Sequence, residues 1–296
     1  MKLEDFNLTY GENNSQKAFI ERNDKTIDYD AEKELSYSDI INLSKGLEVI
    51  SEFFDVNSAV SVSCGKISSL SLGKIASEAV INVVDSNPIE FLSSAVVVSS
   101  EVDSDIAKLL KEDNIVAAPE FTNNAVEILR QHNVNFIKIL TPLKEYKKYL
   151  SNSVITTPLG TLIQEPNLTE LSKETFKVVS KTKPTVEQIE DAVFAWKVAK
   201  HCFSKAVVIA KDLKTTAISQ GLHASAVEFA LDYSCDMSKE AILAADISLT
   251  VHDIEVAAQG RISLIILPFA NSDLIKTADK YNIAVITTGF TNTLIR

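Results

Sequence analysis

Three cysteines, four histidines and a few lysines bound the side-chain chemistry open to this chain. Cys64 stands two residues before Lys66. A thiol turns nucleophilic only when a base or a positive neighbour lowers its pKa from about 8.5. Lys200 and His201 are adjacent, and His252 precedes Asp253. An imidazole beside a carboxylate or a cation is the raw material of general acid–base work. Nothing in the sequence brings His223 to His252 and Asp253, so loop or surface roles are the simpler reading for these three. His132, His201, His223 and His252 are scattered, and there is no H-E-x-x-H or C-x-x-C, so no zinc site is expected. The eight glycines contain no G-x-G pair. A P-loop or dinucleotide fingerprint, which needs glycine where backbone meets phosphate, cannot be built.

The elements that must position these groups come from 296 residues, enough for two modest domains or one large one. A 46% hydrophobic and 23% charged composition is that of a soluble globular chain able to bury its own core. The net charge of −11 argues against a sequence-independent nucleic-acid binder or an anionic-membrane binder, both of which need a basic surface. Cys64, Cys202 and Cys235 are odd in number and far apart, so no disulfide framework is implied and a reducing cytoplasm fits. The opening MKLEDFNLTY lacks the pattern of a signal peptide, and no apolar run approaches the ~18 residues of a membrane span.

Short apolar, β-branched runs alternate with amphipathic stretches. Strands are expected at 59–63, 95–98, 115–118, 136–140, 159–164, 206–210, 215–219, 246–251, 262–267 and 283–288, each covered on both faces. Helices are expected over 38–54 and 185–202, the latter behind Pro184 with Thr185 and Gln188 as a capping box. Asn271 or Ser272 caps a third over 273–280. Trp196 falls on an amphipathic face and reads as core. The alternation predicts a layered α/β fold. The polar stretch 165–185 reads as the junction between a unit over 1–165 and a second α/β unit over 166–296, with no short repeat visible.

Several motifs carry a resemblance. Leu8 to Gln16 resembles the L-R-Y-G-E-N-P-H-Q opening of the AICAR transformylase family, the formyl-transfer part of a bifunctional purine-biosynthesis enzyme. Lys33 to Tyr37 with Asp39, the stretch 114–129, Lys183 to Thr185 and Phe194 to His201 resemble further family segments. So do Asp246, Asp253, Glu255, Pro268 and Thr288-Gly289, all in family order. No cyclohydrolase part is present in this sequence. The resemblance implies two cytidine-deaminase-like α/β units in an intertwined homodimer, with active sites at the interface. It implies formyl transfer from 10-formyltetrahydrofolate, a co-substrate rather than a covalently bound cofactor, to the weakly nucleophilic amine of AICAR. That reaction asks for a base on the amine and a cation at the developing oxyanion.

The departures fall on those parts. Aligned through Ser71-Leu72-Gly73, the family's adjacent Lys and His become Ser63 and Cys64. The family's D-P-V-S-A-F-G-G becomes Asn87 to Ser94, which puts Glu90 in a former glycine-rich loop and disfavours phosphate there. Arg becomes Thr9 in the opening motif, Asn becomes Lys205, and the C-terminal R-H-F-R-H becomes Thr291 to Ile295. Positions that shape strands and helices keep their type. Ser63, Cys64 and Lys66 are thus the candidate catalytic positions, and Tyr10, Gly11, Glu12, Asn13, Lys200, His201 and Lys205 the candidate substrate-binding ones.

Each has a plainer reading. Cys64 can be a replacement nucleophile or a small buried cysteine at a strand end, and Lys66 can replace the lost lysine only by a loop shift. Lys200 and His201 can face the pocket or simply favour a helix C-terminus. Tyr10 to Asn13 can hold a nucleotide or persist because Gly11 permits a tight turn. Lys205 can meet a phosphate or be solvated. Three functions follow: a catalytically impaired scaffold or regulatory homologue, a binder or enzyme for another small ligand such as a purine nucleotide in the interface cleft, or a transformylase with relocated residues. A homodimer is expected, with no nucleic-acid or membrane partner and a cytoplasmic location.

Overall fold

The computed structural model describes residues 5–8, 10–170, 175–221 and 225–292. Its centre is a mixed sheet, 12-stranded among the described residues, assembled from two copies of one chain path. In the first copy, β3 (Tyr29–Ala31) leads into helix α1 (Tyr37–Ile50) and the hairpin β4 (Asn57–Ser63) and β5 (Lys66–Gly73). Then come α2 (Ala76–Ser86), the short α3 (Pro88–Phe91), β6 (Ala95–Val98), α4 (Ser104–Leu109), β7 (Ile115–Ala118), α5 (Asn123–Gln131) and β8 (Asn135–Ile139). β6, β7 and β8 run parallel, β4 joins β6 antiparallel, and β3 returns to cap β8 antiparallel.

The second copy repeats this path. It follows β11 (Lys177–Val178), α6 (Val186–Lys200), the hairpin β12 (Val207–Lys211) and β13 (Lys214–Ser219), α7 (Ala226–Ser234), β14 (Ile242–Ala245), α8 (Val251–Gln259), β15 (Leu264–Leu267), α9 (Ser272–Lys280) and β16 (Ala284–Thr287). Its pairings are the same, down to β11 on β16. Local chemistry repeats too. α1 and α6 each start on a capping box, Ser36 with Asp39 and Thr185 with Gln188. Both hairpins carry a bulge, at Ser61/Val62 and at Ile209/Ala210. The two copies meet where β5 lies beside β13. Outside the sheet, β1 (Asp5–Asn7) pairs with β2 (Phe19–Glu21), and β9 (Ser153–Thr157) with β10 (Gly160–Gln164).

Three buried clusters define the layers. On one face α1 and α6 share a continuous core across both copies, including Leu47, Ile50, Trp196 and Val198. On the other face the cores are separate, one beneath α2, α4 and α5 and one beneath α7, α8 and α9. The α/β class follows as the alternation predicts, and Trp196, 1% exposed, is core.

Three expectations are corrected. The run 246–251 is no strand: the strand lies at Ile242–Ala245, and Thr250 with Asp253 forms the capping box of α8. β5 was absent from the expected strands because Ser68, Ser69 and Ser71 break its apolar pattern. Two of them are buried in hydrogen bonds, Ser69 Oγ to Ser61 Oγ at 2.8 Å and Ser71 Oγ to Leu72 O at 2.8 Å. β10 is exposed along its whole length instead of covered on both faces, because among the described residues it pairs with β9 alone, outside the main sheet.

Candidate functional site

The tip of the β4–β5 hairpin holds Ser63, Cys64, Gly65 and Lys66. Cys64 and Gly65 both have positive φ, 51° and 72°, as a tight two-residue hairpin turn demands. α1 steadies the turn: Gly65 N–H donates to Asn42 Oδ1 at 2.7 Å. The other copy solves the same problem with Asp191 on α6, whose carboxylate accepts from Asp212 N–H at 3.1 Å and Leu213 N–H at 2.7 Å. Cys64 is therefore not a buried cysteine at a strand end. It is exposed on a turn, and its sulfur meets Ser63 Oγ at 3.9 Å.

Beside this tip the central sheet parts. β5 and β13 share one registered pair, Ser71 with Lys214, next to a hydrogen bond from Leu72 N–H to Leu213 O at 2.9 Å. Further on, the Thr215 hydroxyl replaces main chain, accepting from Leu70 N–H at 2.9 Å and donating to Leu70 O at 3.2 Å. Beyond it the Gln220 amide spans the gap. Its Nε2 donates to Ile67 O at 2.7 Å, and its Oε1 accepts from Phe203 N–H at 3.1 Å.

The gap is a cleft of about 360 Å³ lined by Ser63, Cys64, Lys66 and Ser68 from the first hairpin, Ser86, Asn87 and Glu90 from the α2–α3 corner, and Thr215 to Ile218, Gln220 and Tyr233 from the second copy. Two segments singled out by the sequence, Ser63 to Lys66 and Asn87 to Glu90, thus meet in one place. The Asn87 side chain caps α3, accepting from Glu90 N–H at 3.3 Å. Lys66 and Glu90 are the charged side chains of the described lining, and no histidine belongs to it. The Lys66 ammonium sits 5.7 Å from the Phe203 ring centre. Hydroxyls dominate the rest, so the described lining offers hydrogen bonds and a cation but no imidazole base.

Lys200 and His201 lie elsewhere, at the end of α6 against the end of α1. Lys200 Nζ donates to Glu52 Oε1 at 2.6 Å and to Thr169 O at 3.0 Å. The His201 ring nitrogens lie 3.2 Å from Glu48 Oε1 and 3.4 Å from Glu52 Oε1. Lys45 pairs with Glu48 at 2.9 Å, and Lys197 Nζ donates to Glu52 O at 3.1 Å. Burial alone would raise both carboxyl groups. The hydrogen bonds and charge of His201, with Lys45 at Glu48 and Lys200 at Glu52, outweigh it and hold both well below 4.5. These partners are far apart in sequence, and no local signal marks Glu48 or Glu52.

Tyr10 to Asn13 form a small turn closed by Gly11 N–H to Gln16 O at 2.8 Å. Gly11 needs no positive φ; a Cβ there would come within 3.0 Å of Gln16 Cβ, so close approach explains the glycine. None of the four lines the cleft. Lys205 is half-buried with φ 63° and has no ion-pair partner among the described residues. His252 Nε2 is 3.4 Å from Glu228 Oε1 on an exposed surface, and Asp253 is spent on the α8 cap. His223, Thr9 and 293–296 lie outside the described residues.

The family described as AICARFT/IMPCHase bienzyme matches residues 2–231. The bifunctional purine biosynthesis protein PurH of Caldicellulosiruptor saccharolyticus is 34% identical over 300 aligned residues, covering 95% of this chain and 58% of the relative. The PurH of Anoxybacillus flavithermus is 32% identical over 266, covering 87% of this chain and 51% of its own length. The chain therefore spans a little over half the length of these curated relatives.

Proposed function

The chain belongs to the AICARFT/IMPCHase bienzyme family, and from that membership we propose that it is a transformylase-like protein in which formyl transfer from 10-formyltetrahydrofolate to AICAR is absent or severely impaired, the fold being kept for a scaffold or regulatory role in purine biosynthesis. One observation carries the reading: the two altered motifs come together in the cleft at the sheet's parting, and its described lining offers Ser63, Cys64, Lys66 and Glu90 with no imidazole. Lys200 and His201 do not compensate, because Glu48 and Glu52 already hold them. Losing an acid–base group removes about 10²–10⁴ in rate, and losing an oxyanion donor about 10²–10³. Turnover of AICAR with 10-formyltetrahydrofolate is expected at least ~10⁴-fold below that of a PurH relative assayed alongside. The double variant Ser63→Lys, Cys64→His regains under a tenth of the relative's rate, because Glu90 and the Asn87–Ser94 loop remain. Wild-type turnover within tenfold of the relative refutes the reading. The hydroxyl-rich cleft favours one alternative, a different small ligand at the same place. Thermal shifts separate the two readings from an active enzyme, since a ligand of the native state raises the melting point. AICAR and a folate analogue both shift a working transformylase and leave a scaffold unmoved.

A homodimer belongs to the same proposal. The β9–β10 hairpin carries Val154, Leu159, Leu162 and Ile163 at 60–100% exposure and pairs with no third strand among the described residues. An isolated two-stranded hairpin is marginal in water, and exposed apolar side chains gathered on one mark a contact surface. A second copy of the chain is the cover proposed for it. Sedimentation of the wild type as a dimer, and of a variant with 153–164 replaced by a short Gly-Ser linker as a monomer, is the expected pair of results. A monomeric wild type at micromolar concentration contradicts it. The two cytidine-deaminase-like units, 1–165 and 166–296, are consistent with the repeated chain path. Among the described residues no helix is long and apolar enough to cross a membrane, and a cytoplasmic location remains part of the proposal.

A further inference from the structure

The doubled chain path allows each copy to serve as a reference for the other. On α6 the Trp196 indole is fully buried in the core shared with Ile286 of β16 and meets Phe290 edge-on with ring centres 6.1 Å apart. Ile189 and Phe176 pack against the same core. The capping boxes and the turn-holding residues Asn42 and Asp191 fix the correspondence of α1 with α6, and it places Leu47 where the second copy has Trp196. The pairing of β3 on β8 and of β11 on β16 places Tyr29 where the second copy has Phe176. With leucine in place of tryptophan, the first copy leaves a half-open slot of about 230 Å³ between α1, β3 and β8. An apolar cavity of ~150 Å³ is enough to take up benzene.

From this correspondence we infer that the slot is a binding site for a small planar aromatic molecule of about indole size carrying an anionic arm. Leu43, Leu47, Ile137 and Ile139 supply apolar walls, and Tyr29 and Tyr146 supply ring contacts. The Tyr146 hydroxyl is committed to Ser44 O at 3.4 Å, which leaves its ring to face the slot. The arm is assigned by Lys25 at the rim, whose exposed ammonium donates to the Lys148 carbonyl at 3.0 Å, has no ion-pair partner among the described residues and can meet a carboxylate in solvent. Elsewhere the lining is mostly apolar and its polar side chains are neutral hydroxyls, so a free phosphate would lose more hydration than it regained. The site is separate from the hydroxyl-lined cleft and shares no residue with it.

The test uses indole and indole-3-acetate on the full chain. Each raises the melting temperature by roughly 2–4 °C at ten times its Kd. Leu47→Trp, which gives the first copy the second copy's residue, abolishes both shifts. Should that variant fold poorly, Ser44→Phe closes the mouth from an exposed helix position and weakens both probes at least tenfold. Lys25→Ala weakens indole-3-acetate by about three- to fivefold, the range of an exposed ion pair, and leaves indole unchanged. Absence of a shift with both probes overturns the inference, as does an unchanged shift in the blocked variants. Binding that appears only once a dimer is diluted to monomers also overturns it, by assigning the slot to a subunit contact. Equal loss of both probes in Lys25→Ala removes the anionic arm from the assignment.

Discussion

Replacing Glu52 by alanine is expected to cost about 3–5 kcal/mol of stability, read from urea denaturation. Its carboxylate is 9% exposed, Lys200 is 8% exposed and His201 6%, so the variant leaves two basic groups in a largely dry site without their shared partner. Attraction between the pair only offsets the penalty for burying it; the cost of the single variant is that of the stranded charges. The paired variant Glu52→Met, Lys200→Met is therefore milder than Glu52→Ala alone. A loss under 1 kcal/mol in Glu52→Ala would contradict this account. The pH dependence has a definite sign. Both Glu48 and Glu52 have folded-state pKa values depressed below 4.5, so their contribution is complete above that pH and drains away as the pH falls below it. Other carboxylates contribute to acid denaturation as well. The diagnostic is the difference: the wild type loses stability more steeply below pH 4.5 than Glu52→Gln does.

Asp191→Ala carries the second large effect, about 2–4 kcal/mol. Asp212 and Leu213 adopt φ of 53° and 55° without being glycine, a conformation disfavoured by roughly 1–2 kcal/mol per residue. The two hydrogen bonds to Asp191 hold that turn in place. Burial raises the Asp191 pKa more than those bonds lower it. A group with a raised folded pKa works against stability as the pH rises through that value, so the carboxylate's charge takes back part of what its bonds give. Asp191→Asn keeps one acceptor oxygen, as Asn42 does in the first half, and gives up the longer bond to Asp212 N–H, so it is expected to lose about 1 kcal/mol, less than Asp191→Ala. Urea midpoints for the two variants check the order. Equal losses would show that charge, not geometry, governs the turn. The disturbance extends to the seam, because Leu213 O accepts from Leu72 N–H.

Much of this architecture could be read from the chain. The runs at 95–98 and 115–118 are strands to the residue, and the Thr185–Gln188 box starts α6 where expected. Such signals are local: periodicity and capping need only neighbours. The failures are local signals overruled. Thr250 sits in a β-branched run yet caps a helix, and the β5 serines look solvated yet two of them are buried in hydrogen bonds, Ser69 to Ser61 of β4 and Ser71 to the Leu72 carbonyl. The doubling of the chain path left no repeat in the sequence, because what is shared is the cap, the turn and the apolar rhythm, met by different residues such as Asn42 and Asp191. The cleft was half legible. The expected departures from the family pattern drew notice to Ser63 to Lys66 and Asn87 to Glu90, whereas Thr215, Gln220 and Tyr233 arrive from the other copy without any signal. Lys200 and His201 invited a pocket role because their acidic partners are brought in only by the packing of α1 on α6.

The parting between β5 and β13 also has a mechanical meaning. On the α1–α6 side one oily layer runs unbroken across the junction and acts as the spine of a book. On the opposite side the two halves have separate interiors, like facing covers, and the fore-edge between them is fastened by the Thr215 hydroxyl and the Gln220 amide. Prising the covers apart divides no buried greasy cluster among the described residues; it strains those clasps together with the Ser86 hydroxyl on Thr215 O and the Leu72–Leu213 main-chain bond, so the width at the fore-edge is set by a handful of polar contacts and can be reset by exchanging the Ser86, Thr215 and Gln220 side chains.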